Sequence, residues 1–352
     1  MPHPLSTAVA LVRGREWWSF KLAPIVAAFF TEVLLHGVPP GAAFLLLLRV
    51  LGTSASLAAF GHVVNDAADV ADDLRAGKRN ALAAWRPWQR WALAAVLYGL
   101  AFVPWVGAPL PAVALLVLVG EAVLLVGYSV RPVRWKERGA AGLVADALYA
   151  HVMPVLFVAA VVRGGALPSL EAGWTAAVAV WAFAFGLRGI LVHQIGDEPA
   201  DRLAGARTFV VAEGRARAEA VLHRVFLAEK AACVAAVGVL ALFAPLAAAL
   251  VGASVAGGLL LRRVPDYPHL RTDPAPHPSQ PPPLFFLYSL DLPVFLGAGL
   301  LARDLAYAAA VAPLFAFVEP GLYRYRARFL VRQARAVQAW LRRLAYGTRD
   351  PA

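Results

Sequence analysis

Charge is scarce in this sequence. Only 16% of its 352 residues are Asp, Glu, Lys or Arg, against about 25% in ordinary soluble domains. That shortage excludes a normal solvated surface. Cysteine is scarcer still. A lone Cys233 rules out an intrachain disulfide framework and a thiolate metal cage, and its apolar setting marks it as a small buried hydrophobe. The ten-residue alternation of a membrane barrel is missing. So is a clean signal peptide, because the apolar part of "MPHPLSTAVALVRGREWW" is short and basic residues follow it.

What remains is hydrophobic. The chain is 60% hydrophobic, with a mean hydropathy of +0.64. Apolar runs near twenty residues recur, each long enough for a hydrocarbon core of roughly 30 Å. Spans are expected at 22–36, 40–63, 90–107, 110–129, 140–162, 173–192, 226–243, 245–261 and 284–302. The expected fold is all-α: a polytopic membrane bundle of about nine helices. Residues 1–21 form a cytoplasmic segment, 22–302 the transmembrane domain and 303–352 a C-terminal extension.

The net charge of +11 does not point to nucleic acid, because the basic residues sit in short loops between spans. Loops 74–92, 131–138, 202–224 and 262–271 are rich in Arg and Lys. Loops 37–39, 104–111 and 244 carry none, and 163–173 has only Arg163 among the basic residues. The basic loops are therefore cytoplasmic, with anionic membrane lipid as a second consequence. Trp17, Trp18, Trp85, Trp88 and Trp91 read as interfacial anchors. Residues 264–283 form a proline-rich loop.

The C-terminus ends in a basic amphipathic helix. Tyr323, Ala327, Leu330, Ala334, Val337, Leu341 and Leu344 share one face, with arginines mostly off it. Either 305–318 makes a short tenth crossing, or this tail lies on the outer leaflet. Its positive charge favours the tenth crossing.

Two acidic clusters carry the chemistry. In "NDAADVADDLRAGKRN" (65–80), Asn65, Asp69 and Asp73 fall at i, i+4, i+8 on one helical face, with Asp66 and Asp72 flanking it. Aspartates at this spacing repel one another. A hard divalent cation removes the conflict, since Mg²⁺ takes carboxylate oxygens together with substrate phosphates. In "LVHQIGDEPADRLAGART", Asp197 and Asp201 repeat the i, i+4 spacing, with Pro199 threatening the turn between them. Lys78 and Arg79 follow the first cluster, Arg202 and Arg207 the second. A solvated helix end explains either cluster alone. The pair, on one side of the membrane, points to Mg²⁺ and an anionic phosphate ligand.

These stretches resemble the UbiA superfamily of intramembrane prenyltransferases. "NDAADVADD" fits that family's NxxxDxxxD motif, and "DEPAD" fits its DxxxD motif. "YSVRPVRWKERGAAG", with Tyr128, Ser129, Arg131, Arg134 and Lys136, resembles the Tyr-Ser and basic loop after the fourth span. "GART" resembles a Gly-x-Lys/Arg-Thr element. Gln194 stands where members often have a further Asp, and "GKRNAL" replaces a frequent Arg-Pro pair.

The resemblance implies a Mg²⁺-dependent prenyltransferase in a bacterial inner membrane, with its active site on the cytoplasmic side. Metal ligands would be Asn65, Asp66, Asp69, Asp73, Asp197 and Asp201. Lys78, Arg79, Arg131, Arg134, Lys136, Arg202 and Arg207 would bind the diphosphate of an isoprenyl donor. Tyr128 would face the allylic cation, or serve as an aromatic anchor. The acceptor would be aromatic or lipid-like. A membrane terpene cyclase is the alternative within the fold; a transporter of anionic lipid or ions is the alternative outside it.

Several ionisable residues fall within the spans, among them Glu32, Arg49, Glu121, Asp146, Arg188 and Asp291. Such residues are costly and often functional. Arg188, about 13 Å along its helix from Asp197, and Asp146 are candidates for substrate contact or for structural ion pairs. His151 reads as a core residue.

Overall fold

The computed structural model describes residues 9–75, 77–164, 169–260, 264, 284, 286–317 and 320–346, without the side chains of 15–20, 169–172, 258–260, 316–317, 320–323, 325 and 346. Every regular element among the described residues is helical. The helices are α1 (Gly14–His36), α2 (Pro40–Arg75), α3 (Pro87–Leu100), α4 (Ala112–Ser129), α5 (Ala140–Ala147), α6 (Met153–Arg163), α7 (Ser169–Leu203), α8 (Phe209–Glu213), α9 (Arg215–Leu240), α10 (Pro245–Leu260), α11 (Leu292–Arg303), α12 (Ala308–Phe317) and α13 (Pro320–Tyr346).

Among the described residues, four helical stretches are long and apolar enough to cross a membrane: Pro40–Arg75, Ala112–Ser129, Ala140–Arg163 and Gly173–Leu203. The protein is a polytopic helical membrane protein. Each expected span coincides with a helix or a pair of helices. Two helices run well beyond their expected spans. Helix α2 has 36 residues and α7 has 35, so each rises more than 50 Å, about 20 Å beyond the hydrocarbon core. The acidic motifs ride on these extensions.

A π-helical turn, Leu148–Val152, separates α5 from α6. Such turns shift the side-chain register of a helix locally. Here Tyr149 lines a cavity, while His151 packs edge-on against Phe185, ring centroids 5.3 Å apart. Phe185 stacks at 4.0 Å on Tyr288, which makes His151 part of an aromatic core. Small residues permit close helix contact in membranes. A Cβ on Gly186 of α7 would lie 2.9 Å from Ala147 Cα.

Several charges within spans are closed by direct pairs. Arg163 Nε and Nη2 donate to Glu32 at 2.9 and 2.8 Å. Arg188 pairs with Glu229 of α9, both side chains almost fully buried. Arg49 lies 5.9 Å from the Trp105 ring centre. Of the two alternatives for Arg188, the structural ion pair is the one observed, with Glu229 engaging its guanidinium.

The last segments double back. Arg303 Nη1 donates to Leu34 O at 3.0 Å, and Tyr307 OH donates to Val38 O at 2.7 Å. Arg326 Nη2 then pairs at 2.6 Å with Asp291, at the start of α11. The chain beyond Arg303 thus returns along α11. Phe329 of α13 is buried, its ring centroid 5.7 Å from that of Phe286. Leu330, Leu341 and Leu344, on the expected apolar stripe, are exposed; the side chain of Tyr323 lies outside the described residues, as does all of loop 264–283 except Val264.

Candidate active site

The two acidic motifs face one cavity of about 400 Å³. Asn65, Asp69, Asp72 and Asp73 from α2 and Asp197 and Asp201 from α7 form one part of its wall. Leu22, Ile25, Leu57, Ala58, Leu125 and Phe157 form an apolar part. Pro199 does not end α7. The helix continues to Leu203, so Asp197 and Asp201 keep their one-turn spacing.

Each acidic residue has an orienting partner. Asn65 Oδ1 accepts from Ser129 Oγ at 3.2 Å and from Lys136 Nζ at 2.9 Å. Lys136 also pairs with Asp69. Arg134 Nη2 stands 2.6 Å from Asp72 Oδ2 and 3.1 Å from Asp69 Oδ1. Asp69 Oδ1 is nonetheless buried without an aligned hydrogen bond. Asn80 Nδ2 donates to Asp73 Oδ2 and to the Asp66 carbonyl, both at 2.8 Å. Thr208 Oγ1 donates to Asp201 Oδ2 at 3.1 Å. His193 Nε2 lies 3.3 Å from Asp197 Oδ2. Burial pushes the Lys136 ammonium below its ordinary value, with the Asp69 charge acting in the opposite direction.

The basic loop is held by a tryptophan between two glycines. A Cβ on Gly127 would lie 2.6 Å from the Trp135 ring, and one on Gly142 would lie 2.7 Å from Trp135 O. Trp135 is followed by Lys136, so its seat sets where that ammonium reaches. Gly127→Val is expected to expel the ring and shift the loop. A displacement near 1 Å at a reacting site costs about 10²-fold in rate. Turnover of the variant, set against its unchanged yield of folded protein, checks this.

Several expectations need correction. Asp66 is no part of the cavity wall. It is buried and lies 3.4 Å from Arg13 Nη1, because one residue along a helix turns the side chain by about 100°. Of the seven basic residues assigned to diphosphate, Lys78, Arg134 and Lys136 line the cavity; Arg79, Arg131, Arg202 and Arg207 do not. Arg131 stays at the rim, 3.7 Å from Asp72. Arg202 is drawn off by Glu198 at 2.9 Å. Arg79 and Arg207 are exposed. Asn80, Thr208, Lys21 and Arg13 were missed. Lys21 and Arg13 belong to the stretch read as a cytoplasmic segment, yet both line the cavity.

Among the described residues no group of three His, Cys, Asp or Glu converges tightly enough to hold a metal alone. The donor chemistry still fits Mg²⁺. Asn65 and the motif aspartates offer hard oxygens from two facing helices, and Asp69 Oδ1 has unused capacity. Mg²⁺ commonly takes one or two carboxylates and completes its shell with water and substrate phosphate.

Comparison with solved structures finds the same architecture. A UbiA homologue from Archaeoglobus fulgidus bound to GPP and Mg²⁺ aligns with a TM-score of 0.58 at 17% identity, covering 89% of this chain and 99% of that one. The chain has the UbiA fold. The same homologue bound to DMAPP and Mg²⁺ gives 0.57, also at 17% identity, covering 86% of this chain and 99% of that one. A structure of digeranylgeranylglyceryl phosphate synthase gives 0.50 at 14% identity, covering 95% and 99%. No family model matches the sequence, and no curated protein matches it. The UbiA fold is thus recovered from the path of the chain, where overall sequence similarity is faint.

Proposed function

We propose that this protein transfers an isoprenyl group from an allylic isoprenyl diphosphate to an aromatic or lipid-like acceptor inside the membrane, with Mg²⁺ as cofactor. The observation that carries the proposal is the single cavity, which joins two facing acidic motifs and their cations to an apolar chamber. The UbiA homologues bound to GPP or DMAPP with Mg²⁺ support it.

Asn65, Asp69, Asp73, Asp197 and Asp201 would hold the metal. Bound there, Mg²⁺ would neutralise charge on the departing diphosphate. Among the cations of the wall, Lys78, Arg134 and Lys136 would grip the diphosphate oxygens. The apolar wall accepts the isoprenyl tail and keeps water from the allylic cation. Tyr128 lines the cavity, its ring centroid 5.3 Å from that of Tyr149 in an edge-on arrangement, and offers a π face to that cation. Lys78, Arg134, Lys136 and Thr208 all come from the basic loops, which supports a cytoplasmic mouth.

The test is release of diphosphate by purified protein from geranyl, farnesyl and geranylgeranyl diphosphates, with Mg²⁺ or with EDTA. Release that needs Mg²⁺ is the expected result. No release from any donor, even with membrane extract added as a source of acceptors, would remove the proposal. Cyclic hydrocarbon formed without any acceptor would replace transfer by cyclisation.

A further inference from the structure

We infer that a second polar group in this cavity, built by Lys21, Glu121 and Asp146, is the acceptor's site, and that Asp146 takes the acceptor's proton. This rests on the prenyl-transfer reading. It adds a class of acceptor: a hydroxyl-bearing molecule, an alcohol or a phenol.

The first argument is contrast. Within this bundle Glu32, Arg188 and Asp291 are each closed by a direct ion pair of opposite sign. Lys21, Glu121 and Asp146 are not. Among the described residues none of the three makes an ion pair within 4.0 Å, yet all three line the cavity. Lys21 reaches only the Tyr149 ring, 5.7 Å from its centre. Glu121 is 7% exposed and stands in the apolar α4. Polar groups held open in such a place are expensive unless a ligand completes them.

The second argument is position. None of the three belongs to the acidic motifs. Asp146 is approached by Tyr149 OH, which donates to its Oδ1 at 2.5 Å and leaves Oδ2 available. Tyr149 links Asp146 to Lys21, whose ammonium lies 5.7 Å from the centre of the Tyr149 ring, and His193, 3.3 Å from Asp197, lines the same cavity. Asp146 thus shares one cavity with the second acidic motif and with Lys21, the setting in which C1 of a donor would meet an acceptor. Glu121 lies about 12 Å along α4 from Ser129 and lines the same cavity. The π-helical turn directly after Asp146 carries Tyr149 into the cavity, an arrangement frequent at functional sites.

The step balances as follows. The C1–O bond of the donor breaks, and its electron pair leaves on the diphosphate. A lone pair of the acceptor hydroxyl forms the new O–C1 bond. The hydroxyl O–H bond breaks and its proton passes to the Asp146 carboxylate. Lys21 hydrogen-bonds the acceptor oxygen and places it. A cyclase, whose cation is captured by carbon–carbon double bonds, has no acceptor hydroxyl for Lys21 to hold.

The experiment uses full-length protein in nanodiscs with radiolabelled geranyl diphosphate, Mg²⁺, and two probe acceptors, octanol and 4-heptylphenol. Labelled ether, released diphosphate and donor KM are measured for the wild type, Asp146→Asn and Lys21→Met. Asp146→Asn is expected to lower ether formation about 10²- to 10⁴-fold, the usual loss for a removed general base, with donor KM unchanged. Lys21→Met is expected to raise acceptor KM about tenfold or more, and it carries the test if Asp146→Asn does not fold. Ether formation within about threefold of wild type in both variants overturns the inference. So does a parallel loss of donor affinity, which would assign the group to the donor. Diphosphate release by the wild type with no ether from either probe overturns the inference and leaves the ionisation chemistry standing. No diphosphate release at all would instead bring down the transfer reading itself.

Discussion

Asp69→Asn is expected to reduce Mg²⁺-dependent diphosphate release by about 10²- to 10³-fold, the range seen when one electrostatic contact to a transition state is removed. Asp66→Asn is expected to stay within about threefold of wild type. The two aspartates are three residues apart and have the same composition around them. Their difference is rotational. Asp69 lines the cavity, pairs with Lys136 and keeps one buried oxygen without an aligned hydrogen bond. Asp66 is off the cavity wall and meets Arg13. Steady-state release over a range of Mg²⁺ concentrations checks both. Equal losses in the two variants would mean that the motif acts through its total charge, and the assignment of ligands by face would fail.

Glu229→Leu is expected to be the most destabilising single change discussed for this bundle. It strands Arg188, whose side chain is 1% exposed, without its carboxylate. Breaking a buried pair from one side costs about 3–5 kcal/mol, whereas replacing both partners by apolar groups is often neutral. The double variant Arg188→Met/Glu229→Leu should therefore recover most of the lost stability. Thermal unfolding of the three proteins in one detergent measures this. A double variant as unstable as the single one would show that shape at the contact between α7 and α9 matters more than charge. Activity follows if α7 moves, because that helix carries Asp197 and Asp201.

Much of this was legible in one dimension. Hydropathy located the spans, because a bilayer imposes a length of about twenty apolar residues on any crossing helix. The i, i+4 spacing put Asn65, Asp69 and Asp73 on one face, because helical geometry is local. The resemblance of the two motifs to the UbiA superfamily agreed with the fold. Composition also explained what is absent, from disulfides to a solvated surface.

The rest depended on contacts between distant segments. Nothing near Arg188 in the sequence announces Glu229, 41 residues away. Hydropathy ended the expected spans of α2 and α7 just before their acidic motifs, since it measures what lipid tolerates and not what helical hydrogen bonding can continue. Seven basic residues followed the motifs, and only three of them line the cavity, because local carboxylates such as Glu198 compete for arginines. Lys21, Glu121 and Asp146 lie on three different helices, each unremarkable where it stands. Sequence determined which residues share a helical face and which segments favour lipid. Only the packed bundle decided which faces meet, because that choice is made by side chains far apart in the chain filling one common space.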